Sequence, residues 1–320
     1  YYQEGTTDRQ LETLPNIDIN IKCGNSLVSR YGLDADLKSL LRRSKFTVES
    51  YRLAVSSYRN AGSKAEKAEM NNLIVKIKQE FTSEIRANDP LKKRLDKLAN
   101  ELYNRFTGNF LFEPEAPYGE KNREMEKRRK KEQAKLEKEV NELEAKMKEL
   151  RDNQRFAQSM EWRIEFPEVL DAEGRFTGFD VVIGNPPYIR QEELTDQKEI
   201  FRQEYATWSG TADLYVYFVE RAMQLLRPGG HFAYIMPNKW MRAGYGKPLR
   251  EFLLQQEIEQ MVDFGDLPVF DEATTYPCLL FLRKGTPKKE FPATTIETLD
   301  FPAGLKAAVE ERRFRVSIEN

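Results

Sequence analysis

The sequence predicts an α/β protein, a largely parallel sheet with helices on its faces and a long α-helical insertion ahead of its second half. Three observations predict it. Strands and helices alternate after Trp162, apolar residues recur at helical spacings of three and four through about 37–160, and Phe179-Asp180-Val181-Val182-Ile183-Gly184 is a short apolar run suited to a buried parallel strand. A chain of 320 residues suffices for one large domain or two modest ones.

The first element is Ile17-Asp18-Ile19-Asn20-Ile21, whose strict apolar/polar alternation predicts a strand running into a turn at Cys23-Gly24-Asn25-Ser26. Helices follow. Ile74, Ile77, Phe81 and Ile85 share one helix face, as do Leu91, Leu95, Leu98 and Leu102. Leu136, Val140, Leu143, Met147 and Leu150 alternate four and three in a background of Lys, Arg and Glu, which predicts a coiled-coil-like seam. Within that stretch, Lys127, Arg128, Arg129, Lys130 and Lys131 suit contacts to DNA phosphates. A solvated helical hairpin accounts for them equally, since interleaved glutamates favour pairing within the helix.

Beyond Trp162, a helix over 213–226 is closed by Arg227-Pro228-Gly229-Gly230, then come a strand at 231–236, a helix at 247–256, a strand at 259–264 and the apolar strand Pro-Cys-Leu-Leu-Phe-Leu-Arg at 277–283. The predicted organisation is 1–36 as the opening part of the sheet domain, 37–160 as the helical insertion, 161–302 as the main sheet domain and 303–320 as a linker leading to a further domain.

Composition narrows the function. Hydrophobic residues make up 40 % and charged residues 32 %, so this is a globular chain whose polar excess is concentrated in one segment. Two distant cysteines, Cys23 and Cys278, and one histidine, His231, give no metal-ligand spacing, which predicts reduced thiols, no metal site and a cytoplasmic location. No apolar run has the length of a membrane span, so no membrane partner is expected. A net charge of −1 decides nothing about nucleic acid, because binding requires a local basic face. The chain opens at Tyr1 rather than Met and is expected to be part of something longer. Oligomeric state is not legible.

The chemistry concentrates at Asn185-Pro186-Pro187-Tyr188, directly after the 179–184 strand. Ligands of open α/β sheets bind beyond the carboxyl ends of the strands. Two consecutive prolines fix φ and remove two N–H donors, so the Asn185 side chain and the Pro186 carbonyl become rigid acceptors. An exocyclic amine is a weak nucleophile because its lone pair is delocalised into the ring. Two acceptors on its N–H groups oppose that delocalisation, and an aromatic at the fourth position can stack on the base.

In this context Phe-Asp-Val-Val-Ile-Gly-Asn-Pro-Pro-Tyr resembles motif IV of the class I amino-methyltransferases. With Asp213-Leu214-Tyr215, Phe218, the Leu226–Gly230 turn, Tyr234-Ile235-Met236-Pro237 and Trp240, the chain is similar to gamma-class (N6-adenine) DNA methyltransferases, in particular the methylase region of Type IIG restriction-modification enzymes. The resemblance implies a Rossmann-like fold, S-adenosyl-L-methionine as methyl donor and double-stranded DNA as partner, with the target adenine flipped out. It implies that Asn185 and Pro186 accept from the amine, that Tyr188 and Phe270 sandwich the base and that Phe218 adds to the pocket. Asn25 would bond the cofactor adenine, and Asp180 is at most a supporting acid there. As plain structure, Phe218 and Phe270 read as core and Asn25 as a turn residue.

One feature departs from the family pattern. The glycine-rich cofactor loop and the acidic residue that grips the cofactor ribose are absent ahead of Asn25, so the fold is expected to be incomplete at its N-terminus, with a partial cofactor site. Restriction by a longer protein is implied by the resemblance alone, since no paired-carboxylate nuclease signature is evident. Methylation of an RNA base or a protein glutamine remains an alternative, as does a non-catalytic fragment that binds DNA or a partner. A cytosine-C5 mechanism through Cys278 fails because that residue opens an apolar core strand.

Overall fold

The computed structural model describes residues 17–29, 32–34, 37–87, 90–107, 120–152, 159–194, 197–270 and 275–318. The chain divides into two compact units, Tyr1–Arg175 and Phe176–Asn320.

The first unit is helical: α1 (Ile17–Asn20), α2 (Leu37–Leu40), α3 (Val48–Asn60), α4 (Lys64–Ala87), α5 (Pro90–Leu102), α6 (Glu120–Asp152) and α7 (Trp162–Glu165). Thr47 starts α3 with a capping box, its side chain accepting from the Ser50 amide while the Ser50 hydroxyl accepts from the Thr47 amide. The predicted face of α4 is the buried one: Ile74, Ile77, Phe81 and Ile85 are all in the core, and Phe81 meets Tyr51 of α3 edge-on at 5.8 Å. Helices α5 and α6 pack together, with ion pairs Arg94–Glu139 and Arg105–Glu132 giving an antiparallel hairpin. Val140 and Leu143 are buried in α6, whereas Lys127 to Lys131 are all exposed. Met147, Leu150 and Leu91 lie outside the residues whose side chains are described.

Two expectations are corrected here. Residues 17–20 form a helical turn rather than a strand. Alternation with period two specifies a strand only where a neighbour offers a ladder, and among the described residues of this unit the one β feature is an isolated bridge, Asn25 to Ser159. The boundary also falls after Arg175, not after 160, and Asn25 belongs with the helices rather than with the sheet. Tyr51 donates to the Ile164 carbonyl at 2.7 Å, Lys78 pairs with Glu165 at 2.6 Å and Arg163 donates to the Gly174 carbonyl at 2.6 Å, so residues 160–175 are anchored within the helical unit.

The second unit carries a six-stranded sheet of β1 (Phe179–Gly184), β2 (Leu226–Pro237), β3 (Glu257–Asp263), β4 (Pro277–Arg283), β5 (Glu290–Thr295) and β6 (Phe314–Ser317), in the order β1-β2-β4-β3-β5-β6. Its helices are α8 (Lys198–Glu204), α9 (Tyr215–Leu225), α10 (Lys247–Leu253) and α11 (Leu305–Glu311). The fold is α/β and Rossmann-like, but its sheet is mixed. β1 and β3 run parallel to β2 and β5, while β4 is antiparallel to both its neighbours and β6 to β5. A loop suffices to join antiparallel neighbours, which is why no helix intervenes between β3 and β4.

β1 is an edge strand, not a fully buried one: Val181 is 56 % and Ile183 78 % exposed. Its cover on one side is α9, in which Tyr215, Val216 and Val219 are completely buried. Lys284, at the end of β4, donates its ammonium to the Leu226 carbonyl at 2.6 Å and the Gln224 carbonyl at 3.3 Å, closing the C-terminus of α9. Residues 303–320, expected as a linker, instead supply α11 and β6. Val309 of α11 is buried against Val262, Phe264 and Ile296, so this segment completes the core on that side of the sheet.

Candidate active site

Gly184 ends β1 beside the Tyr234 ring, so closely that a Cβ there would stand 3.1 Å from it. The chain then turns away through Asn185-Pro186-Pro187-Tyr188. Asn185 is exposed at the strand's carboxyl end, Pro186 is buried, Pro187 is exposed and Tyr188 is half-buried. The Tyr188 hydroxyl donates to the Ile235 carbonyl at 3.3 Å, one residue past Tyr234, the β2 partner of Gly184. Burial pushes the Tyr188 phenol up to about 12, so it remains a neutral donor at physiological pH. One residue on, the Ile189 carbonyl accepts from the Leu214 amide at 3.0 Å, which fastens the loop to the start of α9.

Phe218 lies on α9, half-buried between Tyr217 and Val219, which are in the core. Phe270 follows the loop after β3 and is also half-buried. Leu267 and Val269 of that loop pack on the Val262, Phe264, Ile296 and Val309 cluster, and Phe270 lies just past them. A further pair at the carboxyl ends of β2 and β3 escaped sequence reasoning. Asp263 accepts from the Asn238 amide side chain at 2.7 Å and from the Gly265 amide at 3.0 Å, holding the start of the Phe270 loop, where Gly265 adopts φ +57°. Proximity to strand ends was the available signal, but Asn238 and Asp263 lie far apart in sequence, and their meeting depends on strand order.

The structure does not gather the remaining candidates at this end. Asp180 is at the opposite end of β1, exposed and ion-paired with Arg227. Asn25 is in the helical unit, where its side-chain oxygen accepts from the Leu27 amide at 3.1 Å and its carbonyl from Val28 and Met160. That is an Asx-type turn. Neither residue therefore forms part of a cradle for S-adenosylmethionine in the sheet unit, and the described residues alone do not fit that cofactor. Among the described residues no cluster of His, Cys, Asp and Glu could hold a metal, and no helix is long and apolar enough to cross a membrane. Cys278 is fully buried in β4 and burial pushes its thiol up to about 12, which leaves it a packing residue.

An α/β sheet whose edge strand ends in Asn-Pro-Pro-Tyr, with aromatics on the neighbouring elements, is the class of site built to hold a planar amine. The sequence model of the Eco57I restriction-modification methylase family matches residues 31–270, and the chain belongs to that family. It is 37 % identical over 111 residues to the type II restriction enzyme and methyltransferase RM.Eco57I of Escherichia coli, an alignment covering 33 % of this chain and 11 % of that protein. It is 34 % identical over 121 residues to the type II methyltransferase M.XhoI of Xanthomonas vasicola, covering 37 % and 22 %. The chain thus spans no more than about a quarter of the length of these curated relatives. Among solved structures, a modification subunit of a putative type I restriction enzyme from Vibrio vulnificus is similar with a TM-score of 0.35 and 18 % identity, over 44 % of this chain and 34 % of that one.

Proposed function

We propose that this chain is the amine-methylating part of a DNA adenine-N6 methyltransferase of restriction-modification type, working on a flipped adenine in double-stranded DNA. The observation that carries the reading is the exposed Asn185 carboxamide at the carboxyl end of β1, behind which Pro186 is buried and Tyr188 is tied to the sheet. Membership of a methylase family supports methyl transfer, and the relatives named above supply DNA as the substrate to test.

Asn185 and the Pro186 carbonyl accept from the two N–H groups of the amine, and this draws its nitrogen towards tetrahedral geometry as the new bond forms. Tyr188 stacks on the base, with Phe270 as the second aromatic and Phe218 at the margin of the pocket. S-adenosylmethionine is the methyl donor in this reading, and the residues that hold it are to be found beyond those the site brings together. Extruding the adenine costs on the order of a few kcal/mol, which contacts elsewhere on the DNA must offset.

The test is methyl transfer from labelled S-adenosylmethionine to mixed-sequence duplex DNA by the intact natural protein and by its Asn185→Ala variant. Label at adenine N6, reduced roughly a hundredfold or more by the substitution, is the expected outcome. Label on RNA or on protein glutamine in place of DNA would overturn the substrate, and an undiminished rate in the variant would overturn the site.

A further inference from the structure

One carboxylate ties together three segments at the carboxyl ends of β1 and β2. Asp213 immediately precedes α9, next to Leu214, whose amide bonds the Ile189 carbonyl. Its side chain accepts from the backbone amide of Gln191, two residues further along the loop that carries Asn185 and Tyr188. It also faces the hydroxyl of Tyr245, with which it is hydrogen-bonded. Tyr245 in turn shares a 2.9 Å hydrogen bond with the Tyr215 hydroxyl in the first turn of α9. The Gly244–Gly246 turn that presents Tyr245 has little room to move, because it lies hard against the Trp240 backbone, where a Cβ on Gly246 would collide with the carbonyl.

We infer that Asp213 is a positioning residue for methylation: its carboxylate, held between the Gln191 amide and the Tyr245 hydroxyl, keeps the Asn185 to Tyr188 loop in the geometry that receives the amine. The inference rests on the methylase reading above. An ionised carboxylate offers two acceptor oxygens, one for each donor, whereas a carboxamide offers one and places a competing donor where the other stood. Asp213→Asn therefore preserves the shape and breaks one side of the clamp.

The carboxylate is retained at a cost, as expected of a residue kept for function. Half-burial raises the Asp213 pKa above the usual carboxylate value, opposed by the Gln191 amide and the charges of Lys239 and Arg190 and reinforced by Glu192; Tyr245 is the remaining titratable neighbour. A raised folded pKa means that the fold binds this proton more tightly than the unfolded chain does. Stability from this group is thus greatest at low pH and is lost as pH rises through the folded pKa. Asp213→Asn should then melt no lower than the wild type at neutral pH, while its catalysis suffers. In the wild type, protonation of Asp213 turns one acceptor into a donor, which predicts an acid limb in kcat that the variant lacks.

The experiment compares wild type and Asp213→Asn in the intact natural protein by amide hydrogen exchange and by labelled methyl transfer to DNA. Expected are exchange at least about tenfold faster over residues 189–194 with β2 and β4 unchanged, kcat lower by roughly ten- to a hundredfold with little change in the KM for DNA, and loss of the acid limb. Wild-type exchange and kcat in the variant would overturn the inference, as would faster exchange with unchanged kcat, or protection lost across the whole sheet. Should the wild type fail to methylate DNA, the methylase reading falls instead, and the exchange result alone decides whether Asp213 holds the loop.

Discussion

Two prolines separate Asn185 from Tyr188, and the side chains on either side of them meet opposite environments. The carboxamide stands in solvent, ready for a ligand, whereas the phenol reaches back to the Ile235 carbonyl. Removing that donor in Tyr188→Phe leaves a backbone acceptor without its partner and should lower stability by about 1 kcal/mol, read as a shift in the denaturation midpoint. Glu220 is a second residue whose worth lies in its bonds. Buried in α9, its carboxylate accepts from the Ala206 amide at 3.1 Å and the Thr207 amide at 2.8 Å, and so holds the turn after α8. Glu220→Ala strands both donors and should cost roughly 2–3 kcal/mol in chemical denaturation. The functional role of Asn185 was legible because proline chemistry is local. That of Glu220 was not, since a glutamate on an amphipathic helix looks like a solvent-facing residue until its partners are in place.

At the scale of elements, helix signals proved more readable than strand signals. The three-and-four spacing of Ile74, Ile77, Phe81 and Ile85 specifies a face, and any neighbouring helix can bury it. The alternation at 17–21 specifies a face as well, but a strand is stable only beside another, and residues 17–20 coil into a helical turn. Residues 179–184 were located correctly as β1, yet their apolar run did not reveal that the strand would be at the sheet's edge. That edge has a consequence, because exposed Val181 and Ile183 beside unpaired backbone invite association between molecules. Ile183→Lys should reduce self-association in analytical ultracentrifugation while changing stability by no more than about 0.5 kcal/mol.

For the whole molecule, the last segment separates two accounts of the architecture. A linker could be removed without effect. Instead α11 buries Val309 against Val262, Phe264 and Ile296, and β6 pairs along β5. Truncation before residue 303 should therefore lower the melting temperature of the sheet unit by about 5 °C or more in calorimetry, whereas a linker would leave it unchanged. The same dependence on distant partners governs the site. By itself the sequence determined the α/β class, the helical region, the position of β1 and the rigid Asn-Pro-Pro-Tyr acceptor, because backbone restriction, hydrophobic period and turn chemistry act over a few residues. Only the tertiary structure decided the mixed direction of the sheet, the division after Arg175, the meeting of Asn238 with Asp263 and the tie from Asp213 to Gln191 and Tyr245. Each of these brings together groups distant in sequence, and strand order and packing, not local preference, set which of them become neighbours.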